Sequence, residues 1–212
     1  MQSERHERDM LVEMGRRLWQ RGFVAANDGN LSARLNDGSI LVTPTGMSKG
    51  FLDASDLVLV SAEGERLKGE GVATTELGMH LAVYRARQDV CAVVHAHPPR
   101  ATAFAASGTP LDADFLPEAV LALGKVPTAP YGTPSTMELV QAIEPFLPDH
   151  NALLLQNHGA VTFGHTIREA YFRMETLEHT ARIALEARRL GGPEPLSADR
   201  IAQLRTLSEY EG

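Results

Sequence analysis

What most restricts the fold of this chain is the interleaving of short apolar runs with segments of helical period. "CAVVHAH" and "NALLLQNHGAVTFG" contain continuous apolar runs of strand length. By contrast, "GVATTELGMHLAVYRARQDV" sets Leu77, Met79, Leu81, Ala82 and Tyr84 in a helical register. Strands of this kind must have their apolar faces covered by the helices that alternate with them, which gives a layered α/β fold. Earlier, alternating segments at Leu31 to Leu35 and Ile40 to Thr43 flank "NDGS", a hairpin signal, so part of the sheet is antiparallel. The expectation is a three-layer α/β/α fold with a central mixed, largely antiparallel sheet flanked by helices.

The remaining elements follow the same patterns. Met10, Leu11, Met14, Leu18 and Trp19 recur at helical steps between Glu4 and Arg21, and Gly22 ends that helix. "LVLVSAEGER" supplies a strand from Leu57 and a turn, and Thr75 is the expected N-cap of the helix that carries "TTELGMHLAVY". Prolines after "CAVVHAH" mark a switch from strand to helix near Pro98, because proline is tolerated in a first turn. "VPTAPYGTPS" reads as a loop and "TMELVQAIEPFL" as a helix interrupted near Pro145. A long helix spans about Thr166 to Leu190, "GGPEP" breaks it, and Ser197 caps a terminal helix. No repeat or long linker divides the 212 residues, so 1–212 is expected to be a single domain.

Charge and cysteine content exclude several classes of function. The net charge is −7 and the basic residues are dispersed, which leaves no stripe that could neutralise a row of phosphodiesters. Cys91 is the one cysteine, so no intramolecular disulfide forms and a cytoplasmic location is expected. "MQSERHERDM" lacks the apolar core of a signal peptide, and no stretch approaches the roughly 18–20 apolar residues of a membrane span.

Three histidines and a glutamate carry the chemical signal. His95 and His97 end an apolar strand, where positions i and i+2 point to one side about 7 Å apart. They are either a strand-end metal clip or two incidental histidines. His158 ends another apolar run and is followed by Gly159, which permits a sharp turn, so a third imidazole can converge on the first two. Three neutral ligands around a divalent ion leave an open position, the arrangement of a Lewis-acid site, whereas a closed structural zinc would want cysteines. Glu76 opens a helix after two threonines. It either complements the helix dipole or, beside a metal, serves as a general acid or base.

Taken in order and at their spacings, "GNLSARL…ILVTPTG", "TTELGMHLAVY", "VVHAHPPRATAFA" and "LLLQNHGAV" resemble the class II aldolase/adducin family over roughly Leu11 to Arg189, and most closely its fuculose-phosphate aldolase branch. The resemblance implies that His95, His97 and His158 bind Zn2+, or another divalent ion such as Mn2+ or Co2+. It also implies that Glu76 is the catalytic acid/base and can ligate the metal in the empty enzyme. A substrate phosphate would be held by Gly29 and Asn30, by Thr45 and Gly46, and by Thr74 and Thr75. Glycines let backbone N–H groups approach an anion, and the threonines stand at a helix N-terminus. No lysine is required, and none stands in an evidently buried, pKa-lowered context.

The activity implied is reversible cleavage of a ketose 1-phosphate, such as L-fuculose 1-phosphate, to dihydroxyacetone phosphate and an aldehyde. The same scaffold serves L-ribulose-5-phosphate 4-epimerases, methylthioribulose-1-phosphate dehydratases and sugar-acid phosphate decarboxylases, as well as non-catalytic adducin-like modules that lack the zinc ligands. The aldolase branch takes a tyrosine from a neighbouring subunit, and "DADFLPEAV", the matching segment here, has none. Glu118 and Tyr210 are the residues that could act across a subunit contact in a homo-oligomer, expected to be a tetramer.

Overall fold

The computed structural model describes residues 4–208. In chain order the elements are α1 (Glu4–Gln20), β1 (Asn30–Arg34), β2 (Ile40–Val42), β3 (Val58–Val60), β4 (Arg66–Lys68), α2 (Leu77–Ala86), β5 (Ala92–Ala96) and α3 (Pro99–Ser107). They continue with α4 (Pro117–Ala122), β6 (Thr128–Ala129), α5 (Met137–Ile143), β7 (Ala152–Leu155), β8 (Gly159–Gly164), α6 (Ile167–Arg189) and α7 (Ala198–Ser208). Tyr210 lies outside the described residues.

One eight-stranded sheet runs in the order β4-β3-β2-β1-β5-β8-β7-β6. Every neighbouring pair is antiparallel except β6 with β7. Helices cover both faces, as the sequence pattern requires. Side chains alternate along each strand, so each strand feeds two separate cores. Leu31 and Ala33 of β1 join Val94 of β5 against α1, α3 and α6, whereas Val93, Val161 and Phe163 pack beneath α2 and α5. The polar residues Asn30 and Ser32 alternate with Leu31 and Ala33 and therefore lie on the α2 side.

Four elements depart from the sequence reading, one of them β4, an exposed three-residue strand beyond the turn read after "LVLV". Thr75 does not cap α2: Glu76 holds the N-cap position without a side-chain cap bond, and the Thr75 hydroxyl instead accepts a bond from Ser135 Oγ at 2.8 Å. The segment read as a loop contains β6, which is two residues long and owes its existence to pairing with β7. "LPEAV" forms α4, whose Pro117 occupies a first-turn position. Ser197 does cap α7, its Oγ accepting from Arg200 N at 3.4 Å.

Candidate active site

The three central strands bring the candidate residues to one end of the sheet. Asn30 at the start of β1 pairs with His95 on β5, and His95 pairs in turn with Val161 on β8. His97 follows the end of β5, and His158 sits in the tight turn that joins β7 to β8. Asn157 takes the left-handed conformation there, with φ of 55°, which asparagine tolerates better than most residues. The Gly159 backbone passes so close to β5 that a Cβ there would lie 2.5 Å from His97 Cδ2 and 2.6 Å from the Ala96 carbonyl oxygen. Glycine at this position is what allows the His97 ring to stand against β8.

The imidazoles converge. One ligand atom from each of His95, His97 and His158 lies within 4.8 Å of the other two, and the His95 and His97 Nε2 atoms are 3.2 Å apart. Two nitrogens bound to one zinc at 2.0–2.1 Å would be separated by about 3.3 Å in a tetrahedral site. His95 Nδ1 lies 2.9 Å from the Ala160 carbonyl oxygen, which can only accept, so the proton of a neutral His95 is on Nδ1 and its Nε2 is bare. Asp28 Oδ2, 3.5 Å from His97 Nδ1, favours the same tautomer in His97. Two bare nitrogens then face each other, an arrangement that a cation between them relieves. Burial pushes His95 down to about 3 and also lowers His158, so both are neutral, as metal ligands must be.

Glu76 closes the cluster. Its Oε2 lies 3.3 Å from His95 Nε2, and its Oε1 lies 3.5 Å from His158 Nε2. Oε1 is buried with no hydrogen-bond partner, as is His158 Nδ1. A buried unsatisfied carboxylate oxygen beside bare imidazoles is costly in isolation and is accounted for by a cation. Three imidazoles and one carboxylate form a borderline N/O donor set that suits zinc and also Mn2+ or Co2+. Cys91 stands at the opposite end of β5 and takes no part.

Behind Glu76 runs a buried polar chain beneath α2. Asn30 Nδ2 donates to Glu76 Oε2 at 2.7 Å, so Asn30 Oδ1 must accept, and it does so from His80 Nε2 at 2.5 Å. His80 Nδ1 then accepts from Ser32 Oγ at 2.6 Å, which leaves Ser32 Oγ to accept from Tyr84 OH at 2.7 Å. All four bonds point toward the carboxylate. Burial pushes His80 down to about 4 and raises the Tyr84 phenol, so the first is neutral and the second keeps its proton. Burial alone would raise Glu76. The bond that Asn30 donates to Oε2 favours the ionised form, and the carboxyl lies below its ordinary value.

A cavity of about 240 Å3 opens over this cluster, and its lining includes Gly29, Asn30, Thr45, Gly46, Thr74, Thr75, Glu76, His97 and His158. His95 is fully buried beneath it. The Asn30 side chain spends one amide proton on Glu76 and its oxygen on His80, so its second amide proton is what it has left for an anion. Thr75 Oγ1 accepts from Ser135 and keeps its own proton free for the cavity. Among the described residues, the three non-glycine residues with positive φ are Ala26, Ser135 and Asn157. Ser135 lines the cavity, and the other two adjoin residues that do. Strained backbone of this kind gathers where the surrounding fold enforces it, often at functional sites.

Asp28, Lys49 and Ser135 also line the cavity, and the sequence reading missed all three. The reading that no lysine is buried is corrected by Lys49, which is 1% exposed and is pushed down to about 8 by burial, against the pull of Asp28. Glu118 lies elsewhere, in a charged cleft with Arg100, Glu178 and Arg182.

Residues 9–185 match the family described as class II aldolase and adducin N-terminal domain. A 3-oxo-tetronate 4-phosphate decarboxylase of Pectobacterium atrosepticum is 37% identical, covering 96% of this chain and 94% of its own. An L-fuculose phosphate aldolase of Methanococcus maripaludis is 36% identical, covering 81% of this chain and 92% of its own. Among solved structures, YgbL of Escherichia coli superposes with a TM-score of 0.88 at 36% identity, over 95% of this chain and 99% of that one. An L-fuculose 1-phosphate aldolase superposes with a TM-score of 0.89 at 28% identity, over 96% of each chain.

Proposed function

The chain belongs to the class II aldolase and adducin N-terminal domain family, whose relatives named above are enzymes, and from that premise we propose that it is a metal-dependent carbon–carbon lyase of phosphorylated sugar acids. Its favoured reaction on this reading is decarboxylation of a 3-oxo acid that carries a terminal phosphate, the fourth activity on the scaffold in the sequence reading. The observation that carries it is the likeness to the 3-oxo-tetronate 4-phosphate decarboxylase, which extends over 96% of this chain. The missing tyrosine in "DADFLPEAV" supports the same reading.

The chemistry explains why that absence matters. In a 3-oxo acid the carboxylate is β to a ketone, so when CO2 leaves, the bonding pair stays on C2 and spreads into the C3 carbonyl. Protonation at C2 then gives dihydroxyacetone phosphate. Aldol cleavage of a ketose 1-phosphate yields the same three-carbon carbanion, but it needs a further group to take the proton of the C4 hydroxyl as the aldehyde forms. Decarboxylation has no such proton, and no tyrosine lines the cavity among the described residues.

His95, His97 and His158, with Glu76, would hold the divalent ion, for which zinc is our choice; when bound it supplies a Lewis acid that draws negative charge from the ketone. Decarboxylation consumes one proton, and Glu76, ionised at rest, would take it from solvent and deliver it to C2 in place of the departing CO2. Asn30 holds Oε2 as an acceptor, so Oε1 is the oxygen left to carry and release a proton. Asp28 orients His97 by its side chain, and the His95 tautomer is fixed by Ala160. The phosphate occupies the small-residue end of the cavity, near Gly29, Gly46 and Thr75.

Aldol cleavage of a ketose 1-phosphate is the second reading, favoured by the match to the fuculose phosphate aldolases. We take the chain as one domain of a cytoplasmic homo-oligomer. Trp19 and Phe51, an exposed tilted ring pair with centroids 5.6 Å apart, support a contact between subunits. No helix among the described residues is long and apolar enough to cross a membrane. Metal-loaded protein given 3-oxo-tetronate 4-phosphate is expected to release CO2 and dihydroxyacetone phosphate in equal amounts. Dihydroxyacetone phosphate from L-fuculose 1-phosphate, with no CO2 from the oxo acid, would reverse the order of the two readings.

A further inference from the structure

Lys49 follows "TGMS" in the connection after β2, and its side chain turns inward and is 1% exposed. Its Nζ donates to the carbonyl oxygens of Asn27 at 3.0 Å and Met47 at 2.5 Å. Those carbonyls belong to the segments that supply Gly29 with Asn30, and Thr45 with Gly46. The ammonium therefore ties together the two loops that face the small-residue end of the cavity.

No carboxylate of the described residues lies within 4.0 Å of this ammonium. Asp28 acts on it from farther away, is half exposed, and is directed at His97. A buried charge without a partner is costly unless something in the working protein compensates it. The rest of the cavity sharpens the point. Its lining includes two carboxylates, Asp28 and Glu76, and a single Lys or Arg, Lys49. The divalent ion would stand at the imidazole end with Glu76, so at the small-residue end a phosphate dianion meets Asp28 and groups with only partial charges, and a cation there would hold it more firmly.

We propose that Lys49 is the counter-charge of the phosphate end of the cavity, a buried ammonium completed by the dianionic phosphoryl group of the substrate, so that it sets selectivity for phosphorylated over unphosphorylated substrates. The proposal rests on the phosphate placement given under Proposed function. Burial that pushes Lys49 down to about 8 leaves it mostly protonated at neutral pH, and an arriving dianion holds the proton more firmly.

The test titrates inorganic phosphate calorimetrically into metal-loaded protein, as wild type, Lys49→Met and Lys49→Arg, with metal content measured in each. Losing one charge-assisted contact should weaken phosphate binding by about tenfold or more in Lys49→Met. Metal content should be unchanged, and Lys49→Arg should recover part of the affinity. Lys49→Met binding phosphate as tightly as wild type overturns the proposal while leaving the phosphate placement intact. A wild type that binds no phosphate overturns the placement and the proposal with it. A measurement on the wild type alone covers a variant that fails to fold: the Lys49 ammonium resonance should shift on phosphate addition, saturating with the calorimetric signal. A resonance that stays still while phosphate binds counts against Lys49 as directly as an unaffected variant.

Discussion

His80 offers a sharp test of the polar chain beneath α2, through the pH dependence of stability. The imidazole is fully buried and pushed from its ordinary 6.5 down to about 4 by burial, with Glu76 pulling the other way. Above pH 6.5 both the folded and the unfolded chain hold it neutral, and its contribution is intact. As pH falls below 6.5 the unfolded chain takes up a proton that the folded protein refuses, and stability drains away until pH 4, where the folded protein accepts it too. For this single group the loss relative to pH 7.5 is about 1 kcal/mol at pH 5.5 and about 3 kcal/mol at pH 4. His80→Gln removes the titration while keeping an amide that can donate and accept. The assay is urea unfolding of metal-stripped wild type and variant at pH 7.5, 5.5 and 4, at one protein concentration, because subunit association would otherwise move the midpoints. The variant is expected to be less stable at pH 7.5, with the gap narrowing by about 3 kcal/mol toward pH 4. Other buried histidines, His95 among them, titrate in both proteins and cancel. A gap that stays constant across the pH range would falsify the neutral, donor-and-acceptor role assigned to His80.

Other substitutions separate metal binding from proton transfer. Glu76→Gln keeps an acceptor for Asn30, so it should retain metal while turnover falls by about two to four orders of magnitude. His97→Ala should lose metal first; equal metal loss in the two variants contradicts the assigned roles. Gly159→Ala drives a methyl group into the His97 ring and the Ala96 carbonyl, so metal affinity should drop without any ligand being changed. An unaltered dissociation constant by competition with a chromophoric chelator would show that the His97 ring can shift without cost.

Most of the architecture was legible because periodicity and turn chemistry are local. The hairpin at Asn36 to Ser39, the strand that carries His95 and the helix capped by Thr166 all follow from signals within a few residues. What escaped was decided at a distance. β4 is an exposed edge strand of three residues with no apolar alternation, and β6 exists through its pairing with β7. Lys49 reads as a surface turn residue in "GMSKGF"; its burial comes from Asn27, twenty-two residues away. Asn30 shows the same limit in another form. Its place beside an anion-facing glycine was readable, but the commitment of its side chain to Glu76 depends on a partner forty-six residues on.

The alternation in "NLSAR" explains why so polar a chain can sit inside a core. Leu31 and Ala33 go to the core beneath α1, which turns Asn30 and Ser32 toward α2, and α2 presents Glu76, His80 and Tyr84 at steps of four residues along one face. Buried polar groups are tolerated when each finds a partner, and a half-satisfied network is worse than none. Here Tyr84, Ser32, His80 and Asn30 satisfy one another in sequence, each donor consumed by the next acceptor. The chain ends on Glu76 Oε2, and the one buried oxygen left over is Oε1. A network that leaves a single atom unsatisfied, and leaves it facing the imidazoles, has concentrated its whole deficit at the point where a metal ion and a proton are needed. The residues of β1 and α2 thus do more than fill a core. They determine which oxygen of the carboxylate is free to react.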